Sequence, residues 1–285
     1  MMPKCTIVSL VPFKRMAFVS LLLVAFPAAS QTQPPSVPAT ELVRETVAHE
    51  LAAANAAGHY RYRIEEQTPQ GSETRDMVET SKWLIGRLLL KNGLPLSPGQ
   101  SRGEDERLRD LLTNPGDLER FQNRAHKDEA RVRRMISLLP EAFFFQYDGA
   151  VKNGSNTELI RLKFHPNTNL TTHSLELRVL QGMEGTMLID PVNERLVRIE
   201  GDLFRDVDFG WGVFGRIRRG GNFLLEQQGV GSDRWAITTL AMHYSSRIVL
   251  FVNTRTDTVS KTSNFHRMSN DLTLQQGLEL LLNPR

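Results

Sequence analysis

From residue 142 onward the chain reads as strand after strand with only turns between. AFFFQYDG (142–149), ELIRLKFHP (158–166), GTMLIDPVNERLVRIEG (185–201), NFLLEQQ (222–228), RWAITTLAMHY (234–244) and RIVLFVNTRT (247–256) follow one another at short spacing. In ELIRLKFHP, Ile160, Leu162 and Phe164 share one face, the period-two pattern of a half-buried strand. Asp190-Pro191-Val192-Asn193 supplies a hairpin turn inside 185–201. Parallel neighbours need long crossovers, usually helical, whereas antiparallel neighbours need only a turn. This half of the chain is therefore expected to build an antiparallel sheet.

The first half adds helices. Glu41 to Ala57 repeats Leu42, Val43, Val47, Leu51 and Ala54 near helical spacing, and Gly58 stops it. Three strand patterns follow: HYRYRIEEQT, ETRDMVETS and KWLIGRLLLKNG, with a turn at 69–72 and Asn92-Gly93 closing the last. Glu104 to Leu112 reads as a short helix, broken by Asn114-Pro115. Asp117 to Leu139 carries Leu118, Phe121, Ala125, Val132, Met135, Ile136 and Leu139 as an apolar stripe, and Pro140 is expected to end it. DLTLQQGLELLL (271–282) is a short terminal helix or a tail. The expected class is α+β: a large curved antiparallel sheet, a half-barrel, with helices packed on its concave face. The expected organisation is a signal peptide over 1–30, a proline-rich linker over 31–40, one α+β domain over 41–268 with a helical insert at 97–140, and a tail over 269–285.

Residues 1–30 hold Lys4, Lys14 and Arg15 ahead of the apolar run MAFVSLLLVAF (16–26) and the small-residue stretch PAAS (27–30). That is the pattern of a secretory signal, with cleavage expected after Ser30 or Ala29. The run is shorter than the roughly 20 residues of a membrane-spanning helix. Localisation is thus expected to be periplasmic or secreted. Without 1–30 the 35 basic and 32 acidic residues become 32 of each. A near-neutral chain has no global pull on nucleic acid. The single cysteine, Cys5, falls inside the signal, so disulfide, thiolate-metal and cysteine-nucleophile chemistry are not expected.

DFGWGVFG (208–215) superimposes two nucleotide signatures. Asp208-Phe209-Gly210 matches the metal-binding triplet of kinases, and Gly210, Gly212 and Gly215 match G-x-G-x-x-G. The second requires a strand before it and a helix after it. Here Gly220-Gly221 and the strand-like NFLLEQQ follow, so bent or bulged strands packed by Trp211 and Phe214 are expected instead of a nucleotide site. The seven histidines show no i, i+4 metal pair, and neither H-E-x-x-H nor G-x-S-x-G occurs. ARVRR (130–134) lies beside Asp128 and Glu129 and reads as a solvated helix face. Asn153 and Asn169 match the glycosylation acceptor pattern. No cofactor, metal or catalytic residue is nominated, and the sequence points away from an enzyme.

YRYRIEEQ (60–67), MVETSKWLIGRLLL (77–90) and GTMLIDPVNERLVRIEG (185–201) together resemble the carriers that sort lipoproteins to the outer membrane and the related periplasmic sensor domains. The resemblance implies an unclosed β-barrel with an apolar, helix-covered concave face that accommodates acyl chains. It implies a lipid or lipoprotein ligand, or an envelope protein partner, with no nucleotide or nucleic acid. Inward-facing candidates for a ligand cavity are Tyr60, Tyr62, Trp83, Phe121, Met135, Leu162 and Phe164. A cavity is expected between the sheet and helix 117–139, with that helix as its lid. The alternative is an envelope interaction or scaffold domain with a solid core and no ligand.

Overall fold

Alternation and hairpin turns carry the strands into one antiparallel sheet. The structure, a computed structural model, describes residues 37–56, 58–154, 156–171, 174–209, 215–231, 234–248 and 252–283. The expected signal peptide and the linker residues 31–36 lie outside them. The elements run α1 (Ala39–Ala56), β1 (Tyr60–Thr68), β2 (Gly71–Glu79), β3 (Leu84–Lys91), β4 (Leu94–Pro95), α2 (Pro98–Thr113), α3 (Pro115–Ala142), β5 (Phe143–Lys152) and β6 (Glu158–Pro166). Then come α4 (Leu175–Leu180), β7 (Met183–Asp190), β8 (Arg195–Leu203), β9 (Val207–Phe209), β10 (Gly215–Ile217), β11 (Asn222–Gly229), β12 (Trp235–Ile248), β13 (Val252–Arg267) and α5 (Leu274–Leu282). The fold is α+β, an unclosed curved sheet with strand order β4-β3-β2-β1-β13-β12-β11-β8-β7-β6-β5; β9 and β10 form a side hairpin on β12. Among the described residues no helix is long and apolar enough to cross a membrane.

The join at the middle is between β1 and β13, whose register runs from Tyr60↔Arg267 to Gln67↔Val259. Turn chemistry fixes several hairpins. Asn92 and Gly93 both take positive φ, 54° and 73°, between Lys91 and Leu94, which pair across the loop. Those angles are the primed two-residue turn that matches strand twist. Gly185 and Gly201 face each other across β7 and β8. A Cβ on Gly185 would meet the Glu200 carbonyl oxygen at 2.0 Å, so only bare backbone fits there.

Two apolar cores hold the helices to the sheet. The first unites Val43 and Val47 of α1, Leu139 and Ala142 at the end of α3, and Leu162, Phe164, Met187, Ile189 and Ile199 from β6–β8. The second unites Leu108 of α2, Leu118 at the start of α3, Val78 and Ile85 of β2–β3, and Leu278 and Leu281 of α5. Val78 and Ile85 point away from Met77 and Gly86, so α5 covers the outer face of that hairpin. Helix α3, at 28 residues about 40 Å long, is anchored at one end in each core. It runs past Pro140, where the sequence led us to expect an end. A proline in the last turn removes a single backbone bond, and the buried Leu139 and Ala142 hold that turn in place.

RIVLFVNTRT was expected as one strand; instead β12 ends at Ile248 and β13 begins at Val252, so the chain reverses within it. Gly210, Gly212, Trp211 and Phe214 lie outside the described residues. Gly215 opens β10, and the next element is strand β11, not the helix a dinucleotide fingerprint needs.

The open edge of β3 is covered by side chains. The Leu84 N–H donates to Gln122 Oε1 of α3 at 3.4 Å, and the Leu88 N–H donates to Glu104 Oε1 of α2 at 2.7 Å. Between them Arg107 Nη2 donates to the Gly86 carbonyl at 2.6 Å. Arg107 also donates to both oxygens of Glu104, at 2.8 Å each. Alternate residues 84, 86 and 88 are those whose backbone groups point outward, and Leu90 there pairs with β4. Unpaired edges invite other strands, and here two helices occupy that position. Burial opposes ionisation of Glu104, but its bonds to Arg107 and the Leu88 N–H, with the charges of Arg107 and Arg75, hold its carboxyl below the usual range.

Glu104→Ala should therefore cost about 1–3 kcal/mol near neutral pH, measured as a lowered urea midpoint. A carboxylate whose pKa falls on folding stabilises above its unfolded pKa and loses that contribution as pH falls through the folded one. The gap between variant and wild type should shrink as the solution is acidified through the carboxylate range.

Candidate functional site

Between its two anchors α3 has little beneath it. A cavity of about 690 Å³ lies there, within the usual range for ligand sites. Its roof is Gln122, Glu129, Val132, Arg133 and Ile136 of α3, with Glu50, Leu51 and Ala53 from the end of α1. Its floor is the inner face of the sheet: Tyr62 and Ile64 of β1, Trp235 and Ile237 of β12, and Thr262 and Phe265 of β13. Thr80, Ser81, Lys82 and Trp83, the β2–β3 turn, form one rim. Val132 is 47% exposed and Ile237 38% exposed, large apolar groups left without packing on the cavity side.

The strand pattern explains the floor. Tyr62 and Ile64 sit two apart on β1, and Trp235 and Ile237 two apart on β12, so each pair faces the same way. Tyr62 stacks on Phe265 with ring centroids 5.5 Å apart. Burial and the neighbouring charge of Glu79 push the Tyr62 phenol well above its ordinary value, against the opposing charge of Arg234. It stays a neutral phenol hydrogen-bonded to Glu79.

Two ion-pair clamps hold the walls. In one, Arg234 donates to both oxygens of Glu79, at 2.5 and 2.8 Å, and the Tyr60 N–H adds a third bond at 3.0 Å. Burial disfavours the Arg234 charge, but the bonds and charge of Glu79 outweigh it and raise its pKa. In the other, Glu50 accepts from Arg195 at 3.0 Å, from the Leu196 N–H at 2.9 Å and from Gln227 at 2.5 Å. This second clamp ties the end of α1 to β8 and β11. The Arg195 guanidinium also lies 5.8 Å from the Trp235 ring centre. A buried ion pair adds little net stability but fixes geometry, because either charge alone would be stranded.

The candidates named from sequence divide. Tyr62 and Trp83 line the cavity. Tyr60 is 2% exposed, beneath the guanidinium of Arg234. Leu162 and Phe164 are buried in the first core, and Met135 packs against it. The side chain of Phe121 lies outside the described residues. Sequence reasoning missed Glu50, Glu79, Arg195, Arg234, Trp235 and Ile237. The last two stand in the alternation of RWAITTLAMHY and were legible as a facing pair. The clamps join residues 145 and 155 positions apart, and no local pattern signals them. Among the described residues no group of three or more His, Cys, Asp or Glu could hold a metal ion.

The fold and this cavity together make the chain a half-barrel with a roofed concave face. No family model and no curated protein matches its sequence. Similar solved structures include a DUF1329 family protein from Desulfovibrio piger ATCC 29098, at 8% identity over 81% of this chain and 93% of that one, with a TM-score of 0.30. Another is MucB in complex with MucA(peri), at 10% identity over 86% of this chain and 97% of that one, with a TM-score of 0.22. At these values the likeness is coarse.

Glu79→Ala should strand Arg234 and destabilise the protein by about 3–5 kcal/mol, read from chemical denaturation. A double variant, Glu79→Met with Arg234→Met, should recover most of that loss.

Proposed function

We propose that the chain is an exported, periplasmic carrier or sensor of a hydrophobic ligand, a lipid or acyl chain, held between α3 and the inner face of the sheet. The cavity of about 690 Å³ carries this reading. A small domain normally fills such a space at crystal-like density. Here the space is walled by Tyr62, Trp83, Val132, Trp235 and Ile237, and its carboxylates are already matched by arginines. An aromatic and aliphatic floor beside polar and charged walls suits an amphiphile, the body on the floor and the head near the rim. The signal-like sequence of residues 1–30 supports export.

The roof supports a lid. Leu118 and Leu139 hold α3 at its two ends, whereas Gln122, Glu129, Val132 and Arg133 between them line the cavity. Segments with few buried contacts open at low free energy. A ligand that replaced those missing contacts would favour the closed position by its differential affinity.

Native mass spectrometry of protein purified without detergent tests this. A discrete added mass removed by organic extraction is expected, and Ile237→Lys, which places an ammonium group on the floor at a part-exposed site, should lower its occupancy about tenfold or more. A bare mass with no uptake of added fatty acid or lipopeptide would overturn the carrier reading in favour of an envelope interaction domain.

A further inference from the structure

A second chamber opens beside the first. It has a volume of about 370 Å³ and is lined chiefly by Met77, Leu84, Ile85, Gly86, Leu111 and Leu118. Leu84 belongs to both chambers. Their other walls are consecutive positions on shared elements. Along the inner face of β2, Glu79 lines the main chamber and Met77 the side one, about 7 Å further on. Along α3, Gln122 lines the main chamber and Leu118 the side one, one turn or about 6 Å away. The two spaces are successive compartments of one strip between the β2–β3 hairpin and α3.

The partition between them is thin. On the sheet side it is Leu84; on the helix side it is Gln122, whose oxygen accepts from the Leu84 N–H at 3.4 Å. That is a long hydrogen bond, beyond the usual range for N–H to oxygen. Two of the three charged groups at the side chamber are committed elsewhere. Arg107 is held by Glu104 and the Gly86 carbonyl, and Arg75 by Glu73 at 2.7 Å. What remains is chiefly hydrocarbon and the Met77 thioether, with Asp110 and Asn114 near the α2–α3 elbow also in the lining. An apolar space of this size beside a packed core forfeits contacts that a hydrocarbon chain would restore.

We infer that the side chamber binds a second hydrocarbon chain of the same ligand, so that the site selects amphiphiles with two chains over those with one. This rests on the carrier reading above and adds a compartment and a selectivity to it. One chain lies on the aromatic floor of the main chamber. The other passes Leu84 and ends under the elbow between α2 and α3.

The test compares two phosphatidylglycerols with the same head and the same total number of chain carbons. One is dihexanoyl; the other is the single-chain dodecanoyl lyso form. Both are titrated below their aggregation concentrations against the fluorescence of Trp83 and Trp235, which line the main chamber. The two-chain lipid should bind about tenfold more tightly. Leu111→Trp, which fills the side chamber, should abolish that preference while leaving the one-chain affinity within about twofold. Gly86→Ala should act in the same direction with less risk to folding. Its Cβ would meet the Met77 sulfur at 2.5 Å and drive that flexible side chain into the space. Equal affinities for the two lipids, or equal weakening of both by Leu111→Trp, would overturn the inference and leave the carrier reading standing. Failure of both lipids to bind would overturn both.

Discussion

Helix α3 is fastened at its ends and bridges a gap, and most of the architecture follows from how those ends are held. Leu118 sinks into the core formed with α2, α5 and the β2–β3 hairpin; Leu139 and Ala142 sink into the core formed with α1 and β6–β8. A curved sheet of eleven strands in series is too wide for one helix to fill its hollow. Two separate cores form where helices meet the sheet, and the ground between them stays open. The cavity is the unfilled middle of an arch, with apolar packing concentrated at the two feet.

Around the cavity, directional interactions hold the walls. The Glu50–Arg195–Gln227 and Glu79–Arg234 groups tie the cavity walls together: the end of α1 to β8 and β11, and the end of β2 to the β11–β12 turn. Such pairs replace close packing poorly in energy but well in geometry. They leave the floor aromatic and pair the wall carboxylates with arginines. This division of labour separates what stabilises the fold from what shapes the site.

Much of the sheet was readable because period-two alternation is a local signal. Ile160, Leu162 and Phe164 announced β6, and Tyr62 and Trp83 were named for the cavity that they line. The stripe on α3 was readable too, yet it misled about the site. The strand residues Leu162 and Phe164 look like cavity lining from their direction, but they are buried because α1 and the end of α3 close over them, and Met135 packs against the same core. Direction is encoded locally, whereas the choice between core and cavity depends on which helix lies opposite. The short elements β4 and α4 escaped notice because two and six residues carry too little period to see. The clamps escaped because charge pairs across 145 and 155 positions leave no trace in sequence.

The pairing of β1 with β13 has a consequence for the order in which the protein is made. Strand β1 is complete at residue 68, but its partner spans Val252–Arg267, so it waits nearly the length of the chain. Until then the block β1–β4 and the block β5–β12 are two sheets with bare edges facing one another. Long-range strand pairing is slow and leaves edges open to other chains. The cavity floor draws on β1, β12 and β13 together, so no part of synthesis short of the last tenth of the chain can contain a working site. A chain that ends before residue 252 lacks β13, and with it Thr262 and Phe265 of the cavity floor.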